Sequence, residues 1–329
     1  MSSPILFRRA CIVALSLLAT LLEPSAVYAA DYPSRPIKII VAMGPGGLSD
    51  LTTRQLARML EAKLGQPVIV ENKPSAGQVV GMQATANAAP DGYTLLLGST
   101  TGLAITPKLF NNVTIDPTKF VAVSPISTTP NVLVALPDFP ANDFKELAAN
   151  ANARKDPITY GSIGVGTSPH LGMEIFRIGA KFEATHVPYK GDAPALLALK
   201  SREVDTAVIT MFSAQPRIKS GELKALGVFQ AQPFQNLPNI QTTTQAGVPE
   251  ADVPGWVGLF ASPGTPTSII AKLEPVARQV IASAEFQAFL ASHGSESVQL
   301  DNKSYVAMIA RQSAQLGDII KKLNLQSGQ

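Results

Sequence analysis

YGSIGVGTSPHL, residues 160–171, reads as the end of a strand, a glycine turn and the start of a helix. Ile158, Tyr160 and Ile163 suit a strand. Gly161, Gly164 and Gly166 let the backbone turn tightly and approach a ligand with no Cβ in the way. Thr167 and Ser168 are good N-cap types, and Pro169 fits a first helical turn. The pattern predicts a helix from about Pro169 to Gly179. Its first N–H groups lack intrahelical partners and carry a partial positive charge toward the loop. Backbone amides and hydroxyls of this kind make an anion site. A capped strand–helix turn without a ligand is the other reading of one such loop. Recurrence elsewhere in the chain favours the ligand.

The signature recurs at Ile37–Met43, IKIIVAM, a continuous apolar strand of the kind buried on both faces of a parallel sheet. Gly44-Pro45-Gly46-Gly47 follows, then Leu48-Ser49-Asp50 and a helix to about Leu64, with Gly65 as its C′ residue. Leu56, Met59, Leu60 and Leu64 share one face. Pro67–Val70 reads as the next strand, 72–78 as a loop, Val79–Ala89 as a helix and Tyr93–Leu97 as a third strand. Strand, helix, strand, helix, strand predicts a parallel α/β sheet. Gly98-Ser99-Thr100-Thr101-Gly102 is then a small polar loop at a strand's carboxyl end, where open α/β sheets bind ligands.

Before this unit, Arg8 and Arg9 precede an apolar run, Cys11–Leu22, and Val27 and Ala29 suit a cleavage site. Residues 1–29 are expected to be a signal peptide, with the protein exported to the periplasm and starting at Ala30. The apolar run is short for a membrane span. Twin-arginine export finds little support around Arg8-Arg9, and Cys11 stands before the apolar run rather than after it, unlike a lipoprotein cysteine. Cys11 is the only cysteine. The exported chain therefore has no disulfide, thiolate metal site or cysteine nucleophile. Removing Arg8, Arg9 and Glu23 from 27 basic and 24 acidic residues leaves 25 and 23, a net +2. That balance points to neither nucleic acid nor a membrane surface.

Val121–Leu136 reads as two short strands broken by prolines, a crossing between domains. Phe144–Ala153 is expected to be helical, 185–192 a loop, Ala193–Lys200 a helix and Val204–Ile209 a strand. Ser213–Ser220 reads as a short helix ended by Gly221. Lys224–Phe229 is a candidate return crossing. Trp256–Ser262 is a late strand, with helices expected at Ser268–Ala282 and Lys303–Leu323. Two α/β lobes with a cleft between them follow, lobe one over 31–134 plus 230–329 and lobe two over 135–229. Clefts of this kind are preferred ligand sites.

Enzyme signatures are poor. Gly44-x-Gly46-x-x-Ser49 is a partial dinucleotide fingerprint with its third glycine missing. Gly98-x-Thr100-x-Gly102 is similar to a nucleophile elbow, so an exported α/β hydrolase using Thr100 is the alternative function. It would need a histidine and an acid, and only His170, His186 and His293 exist. Both His170 and His186 suit structural or ligand-contact roles better than a base. No metal-ligand spacing and no phosphate-loop ending occurs, so no cofactor is expected. Trp256 and Phe260 are expected in the core.

Several motifs resemble those of the Bug-type receptors, the TctC-like substrate-binding proteins of tripartite tricarboxylate transporters. They are Tyr32-Pro33-Ser34-Arg35-Pro36, Gly46-Gly47-x-x-Asp50, Val70-Glu71-Asn72-Lys73-Pro74 and Pro90-Asp91-Gly92-Tyr93-Thr94-Leu95. Gly161-Ser162-x-Gly164-x-Gly166-Thr167-Ser168-x-His170-Leu171, His186-Val187-Pro188-Tyr189-Lys190-Gly191 and Pro263-Gly264-Thr265-Pro266 follow in the family's order. The resemblance implies a type II periplasmic binding protein fold that closes on a small carboxylate and hands it to a membrane permease, with no reaction catalysed, as a monomer. The ligand residues it implies, together with the strand-end loops, are Gly46, Gly47, Leu48, Asp50, Ser99, Thr100, Gly166, Thr167, Ser168, His170, Tyr189, Lys190 and Gly191. Two departures stand out. Met43-Gly44-Pro45 replaces the family's apolar residue and Pro-Ala or Pro-Pro. Ile209-Thr210-Met211-Phe212 replaces a polar pair, which implies a more apolar cleft wall and argues against an amino-acid ligand.

Overall fold

Ile37–Val41 (β1) is apolar along most of its length because it has parallel neighbours on both sides, Val68–Asn72 (β2) and Thr94–Ser99 (β3). The computed structural model describes residues 32–110 and 113–325; the expected leader lies outside them. Between β1 and β2 runs Leu48–Leu64 (α1), which buries Leu56 and Leu60 and ends at Gly65 with a left-handed φ of 65°. Val79–Ala86 (α2) joins β2 to β3. Residues 98–102 were expected to be a loop. Instead β3 runs to Ser99, and Thr100–Ile105 forms a π-helical turn leading into Thr106–Leu109 (α3). The Ser99 hydroxyl accepts from the Gly102 N–H and starts that turn.

Val121–Thr129 (β4) follows, then Pro130, then Asn131–Ala135 (β5) in a second sheet. Pro125 was expected to break this strand, but it stays inside β4, where the ladder register shifts and the missing N–H is tolerated. The second sheet adds Ile158–Ser162 (β6), Ala184–Pro188 (β7), Thr206–Thr210 (β8) and Lys224–Val228 (β9), in the order β7-β6-β8-β5-β9. Residues 185–188, expected within a loop, belong to β7. It is a short edge strand paired to β6 alone, so its pattern has little of a core strand. Helices Phe144–Ala153 (α4), Ser168–Gly179 (α5), Asp192–Lys200 (α6) and Met211–Lys219 (α7) flank it.

The chain returns at Gly255–Ala261 (β10), followed by Thr267–Ile281 (α8), Ala284–Ser292 (α9), Glu296–Ser297 (β11) and Asn302–Lys322 (α10). The first sheet has the order β11-β4-β10-β3-β1-β2. It is mixed rather than parallel, because β10 enters from the other sheet and runs antiparallel to β3 and β4. Neither α9 nor β11 was anticipated from the sequence.

Each sheet has its own core. Ile39, Val41, Leu95 and Leu97 pack with Leu56, Leu60, Leu273 and Phe286 in the first. In the second, Leu171 and Phe176 pack with Phe144, Tyr160 and Phe229. That second core also takes Leu109, Leu316 and Ile320 from the first-sheet side, so the end of α10 covers both halves. Such burial contributes roughly 25 cal/mol per Å² of apolar surface. It leaves the carboxyl ends of β1, β3 and β6 facing a common cleft.

Candidate functional site

Two helix starts meet at this cleft, and they are built alike. In the first half the chain turns at Gly46 (φ 80°) and enters α1 through Gly47. In the second it turns at Gly166 (φ 72°) and enters α5 through Thr167. Only glycine adopts such φ values freely. Each glycine N–H is held by the third helical residue reaching back. Gly46 N donates to Asp50 Oδ2 at 2.9 Å, and Gly166 N donates to His170 Nδ1 at 3.0 Å. No side chain caps either helix. The amides of Leu48, Ser49, Asp50, Ser168 and His170 therefore keep no helical partner, with both positive dipole ends aimed at one cleft. Pro169 has no amide to offer.

The hydroxyls expected to cap α5 do something else. Thr167 Oγ1 donates to Gly164 O at 2.7 Å and tightens the turn. Ser168 Oγ accepts from Asn131 Nδ2 at 3.1 Å, and Asn131 also donates to Val253 O at 2.8 Å.

The cavity measures about 560 Å³. Of the residues singled out from sequence, Gly47, Leu48, Ser99, Thr100, Ser168, Lys190 and Gly191 line it. Gly46, Asp50, Gly166, Thr167 and His170 are not in its lining and instead shape the two loops. Tyr189 turns away, its hydroxyl donating to Glu203 Oε1 at 2.7 Å. Asp50 is buried among Gly46 N, Arg54 Nε and Asn72 Nδ2. Burial opposes its charge, yet those donors hold its carboxyl below the usual range.

Several lining residues were not foreseen. Gln78 comes from the segment read as a plain loop, and Asp192 from the second half. Asn131, the one polar residue of the NVLVA strand, carried a sequence signal in being polar within an apolar run, and it is fully buried. Asp192 accepts from Thr210 N, Thr210 Oγ1 and Ser213 Oγ, so Thr210 spends its polar groups there. Ile209 and Met211 are buried in the core, and Phe212 alone of the three presents an apolar face to the cleft. Trp256 is buried as expected, and it also forms part of the cleft wall.

The hydrolase reading fails on geometry. Thr100 Oγ1 accepts from Trp256 N at 2.8 Å and faces Pro254 O at 3.4 Å, so backbone groups occupy its hydroxyl. Of the two histidines it would call on, His170 is buried within α5 and His186 is half-buried on β7. His170 and His186 stack with ring centroids 3.9 Å apart, His186 Nε2 lies 2.6 Å from Ser162 Oγ, and Tyr160 stacks on the other face of His186.

Burial lowers the His170 pKa from 6.5 to about 4 and that of His186 to about 3, in the latter case with help from its partner ring. Glu174 pulls the other way at both rings, and Arg177 reinforces the lowering at His170. An unfolded chain protonates these rings near pH 6.5 while the folded protein does not, so stability falls as pH drops from about 6.5 toward 4. At about 1.4 kcal/mol per pH unit, His170 alone removes about 3 kcal/mol over that window. Asp252 opposes this. Burial raises its pKa to about 6, so its penalty is relieved as pH falls below 6. Two histidines outweigh one aspartate, and the melting temperature should fall between pH 6.5 and 4. A His170→Gln variant should melt over this range with a visibly shallower slope. An unchanged slope would show that His170 does not set it.

Known proteins resemble this chain along most of its length. The family model described as "Tripartite tricarboxylate transporter family receptor" matches residues 52–325. A UPF0065 protein of Bordetella pertussis is 46% identical over 309 residues, covering 94% of this chain and 96% of its own. A solved structure described as a periplasmic transporter is 31% identical, with a TM-score of 0.79, covering 90% of this chain and 99% of its own. MatC of Rhodopseudomonas palustris, solved with bound malate, is 27% identical with a TM-score of 0.75, covering 88% and 100%.

Proposed function

We propose that this chain, which belongs to the tripartite tricarboxylate transporter receptor family, captures a small carboxylate between its two lobes and delivers it to a membrane permease of that transporter type. The family's members are receptors, not enzymes, and its setting is the periplasm. Export with cleavage near Ala29, and action as a monomer, belong to the same proposal. The observation that carries it is the pair of matched, uncapped helix starts, Gly46–Asp50 and Gly166–His170, facing one cavity. Their amides would hold carboxylate oxygens, with Ser168 and Lys190 as side-chain partners. Gly46, Asp50, Gly166, Thr167 and His170 would act by shaping the loops. Malate bound in the related MatC supports the ligand class.

A thermal-shift screen with malate, succinate, citrate and adipate tests this. A ligand at 100 times its dissociation constant should stabilise the protein by about 2.7 kcal/mol. A chain of this size should then melt several degrees higher. No shift with any mono-, di- or tricarboxylate would refute the ligand class.

A further inference from the structure

Gln78 has a backbone conformation that glutamine rarely adopts. Its φ is 64° and ψ 15°, directly after Gly77 at φ 59°. Left-handed backbone at a residue with a side chain is unfavourable, and its persistence invites a functional reason. The loop is pinned in place from below. Thr106 Oγ1 donates to Gly77 O at 2.9 Å, and Ser75 Oγ accepts the Val80 N–H at 2.9 Å. This turn carries the Gln78 side chain into the cleft wall beside Ser99.

Ser99 Oγ accepts from Gly102 N and gives its own proton to Gln78 Oε1 at 2.7 Å. The carbonyl is thereby occupied, and the NH2 group faces the cavity. Nε2 has no protein partner among the described residues, although Gln78 as a whole is only 9% exposed. A strained turn, a fixed rotamer and an open donor in the binding cavity coincide at one residue.

We propose that Gln78 is a specificity-determining residue whose side-chain amide donates to an oxygen of the ligand, a hydroxyl or second carboxyl group distinct from the carboxylate at the helix starts. This rests on the carboxylate reading of the cleft given above. It favours a ligand with an oxygen at its lobe-one end over one with a plain hydrocarbon there. Losing one hydrogen bond to a charged group weakens binding about 10- to 150-fold, and to a neutral hydroxyl by less.

Three variants separate binding from structure. Gln78→Met keeps the length and loses the donor. Gln78→Glu keeps the bond from Ser99, which donates equally well to a carboxylate, and changes only the group turned into the cleft. Gln78→Gly relieves the backbone and should melt no lower than the parent. Calorimetry with malate, succinate, citrate and adipate should give a parent affinity for at least one of them. For the tightest of these, Gln78→Met and Gln78→Gly should bind about tenfold or more weakly, and Gln78→Glu more weakly still where the ligand oxygen belongs to a carboxylate. Part of the extra loss with Gln78→Glu should be recovered at high salt, where charge repulsion is screened. A purely structural Gln78 predicts that Gln78→Glu binds like the parent. If Gln78→Met and Gln78→Glu both stay within twofold of the parent, this inference falls and the receptor reading survives. If the parent binds none of the four acids, the receptor reading fails first, and this inference with it.

Discussion

Gly47→Val should melt close to the parent and yet bind the parent's carboxylate ligand about 100-fold more weakly or worse. Gly47 has φ −80° and ψ 170°, a region valine accepts, and a Cβ placed there meets no atom within 4 Å. The fold has room for the side chain because that room is the cleft. Valine is a poorer N-cap than glycine, so a cost of up to about 1 kcal/mol to α1 is expected. The larger effect is on the ligand. A side chain over the start of α1 separates a carboxylate from at least two amides, each worth about 1.5–3 kcal/mol to a charged partner. The sum, about 3–6 kcal/mol, is a factor of roughly 10² to 10⁴ in affinity. Gly46→Val is the contrasting variant. Its φ of 80° strains any side chain, so it should lose stability as well. Calorimetric affinity and melting on the same Gly47→Val sample decide the matter. Unchanged affinity in a folded variant would place the ligand away from α1.

Arg177→Ala should cost about 3–5 kcal/mol of stability, the largest single effect expected outside the cores. Glu174 is almost fully buried and has two side-chain partners. Arg177 donates to it through Nε at 2.9 Å and Nη2 at 2.6 Å, and Tyr160 Oη donates at 2.6 Å. Burial opposes the Glu174 charge, yet Arg177 and Tyr160 hold the carboxyl below its usual range. Removing the guanidinium strands a buried anion one turn below His170. The loss should be greatest at neutral pH and shrink on acidification, because the stranded carboxyl can then protonate. The double change Glu174→Gln with Arg177→Met should recover most of the loss, since it removes the charge together with its partner. Denaturant unfolding gives both numbers. A cost below about 1 kcal/mol for Arg177→Ala would mean that water already serves Glu174, and the double change would then bring no recovery.

Local chemistry makes much of this chain legible from its residues alone. IKIIV reads as a strand buried along most of its length, and Gly65 stops α1 because few other residues take a left-handed φ. Glycine turns followed by helix-starting residues mark both ligand loops. A family resemblance spread over the whole length is readable from the order of short motifs. These features depend on residues near each other in the chain, so sequence by itself determined them.

Tertiary structure decided the rest. The direction of β10 depends on which sheet the chain is returning from, and nothing within Gly255–Ala261 encodes that. β7 is a strand because β6 offers it an edge. Thr167 and Ser168 are cap types by residue, but Gly164 and Asn131 claim their hydroxyls from outside the helix. Asp50 and His170 stand in the ligand motifs and yet serve the loops, because each side chain folds back to the glycine four residues earlier. Gln78 reaches the cleft from a segment with no local mark of it. A binding wall is assembled from residues far apart in the chain. Their side-chain directions are set by packing partners that the local sequence does not contain, and so only the folded protein could reveal them.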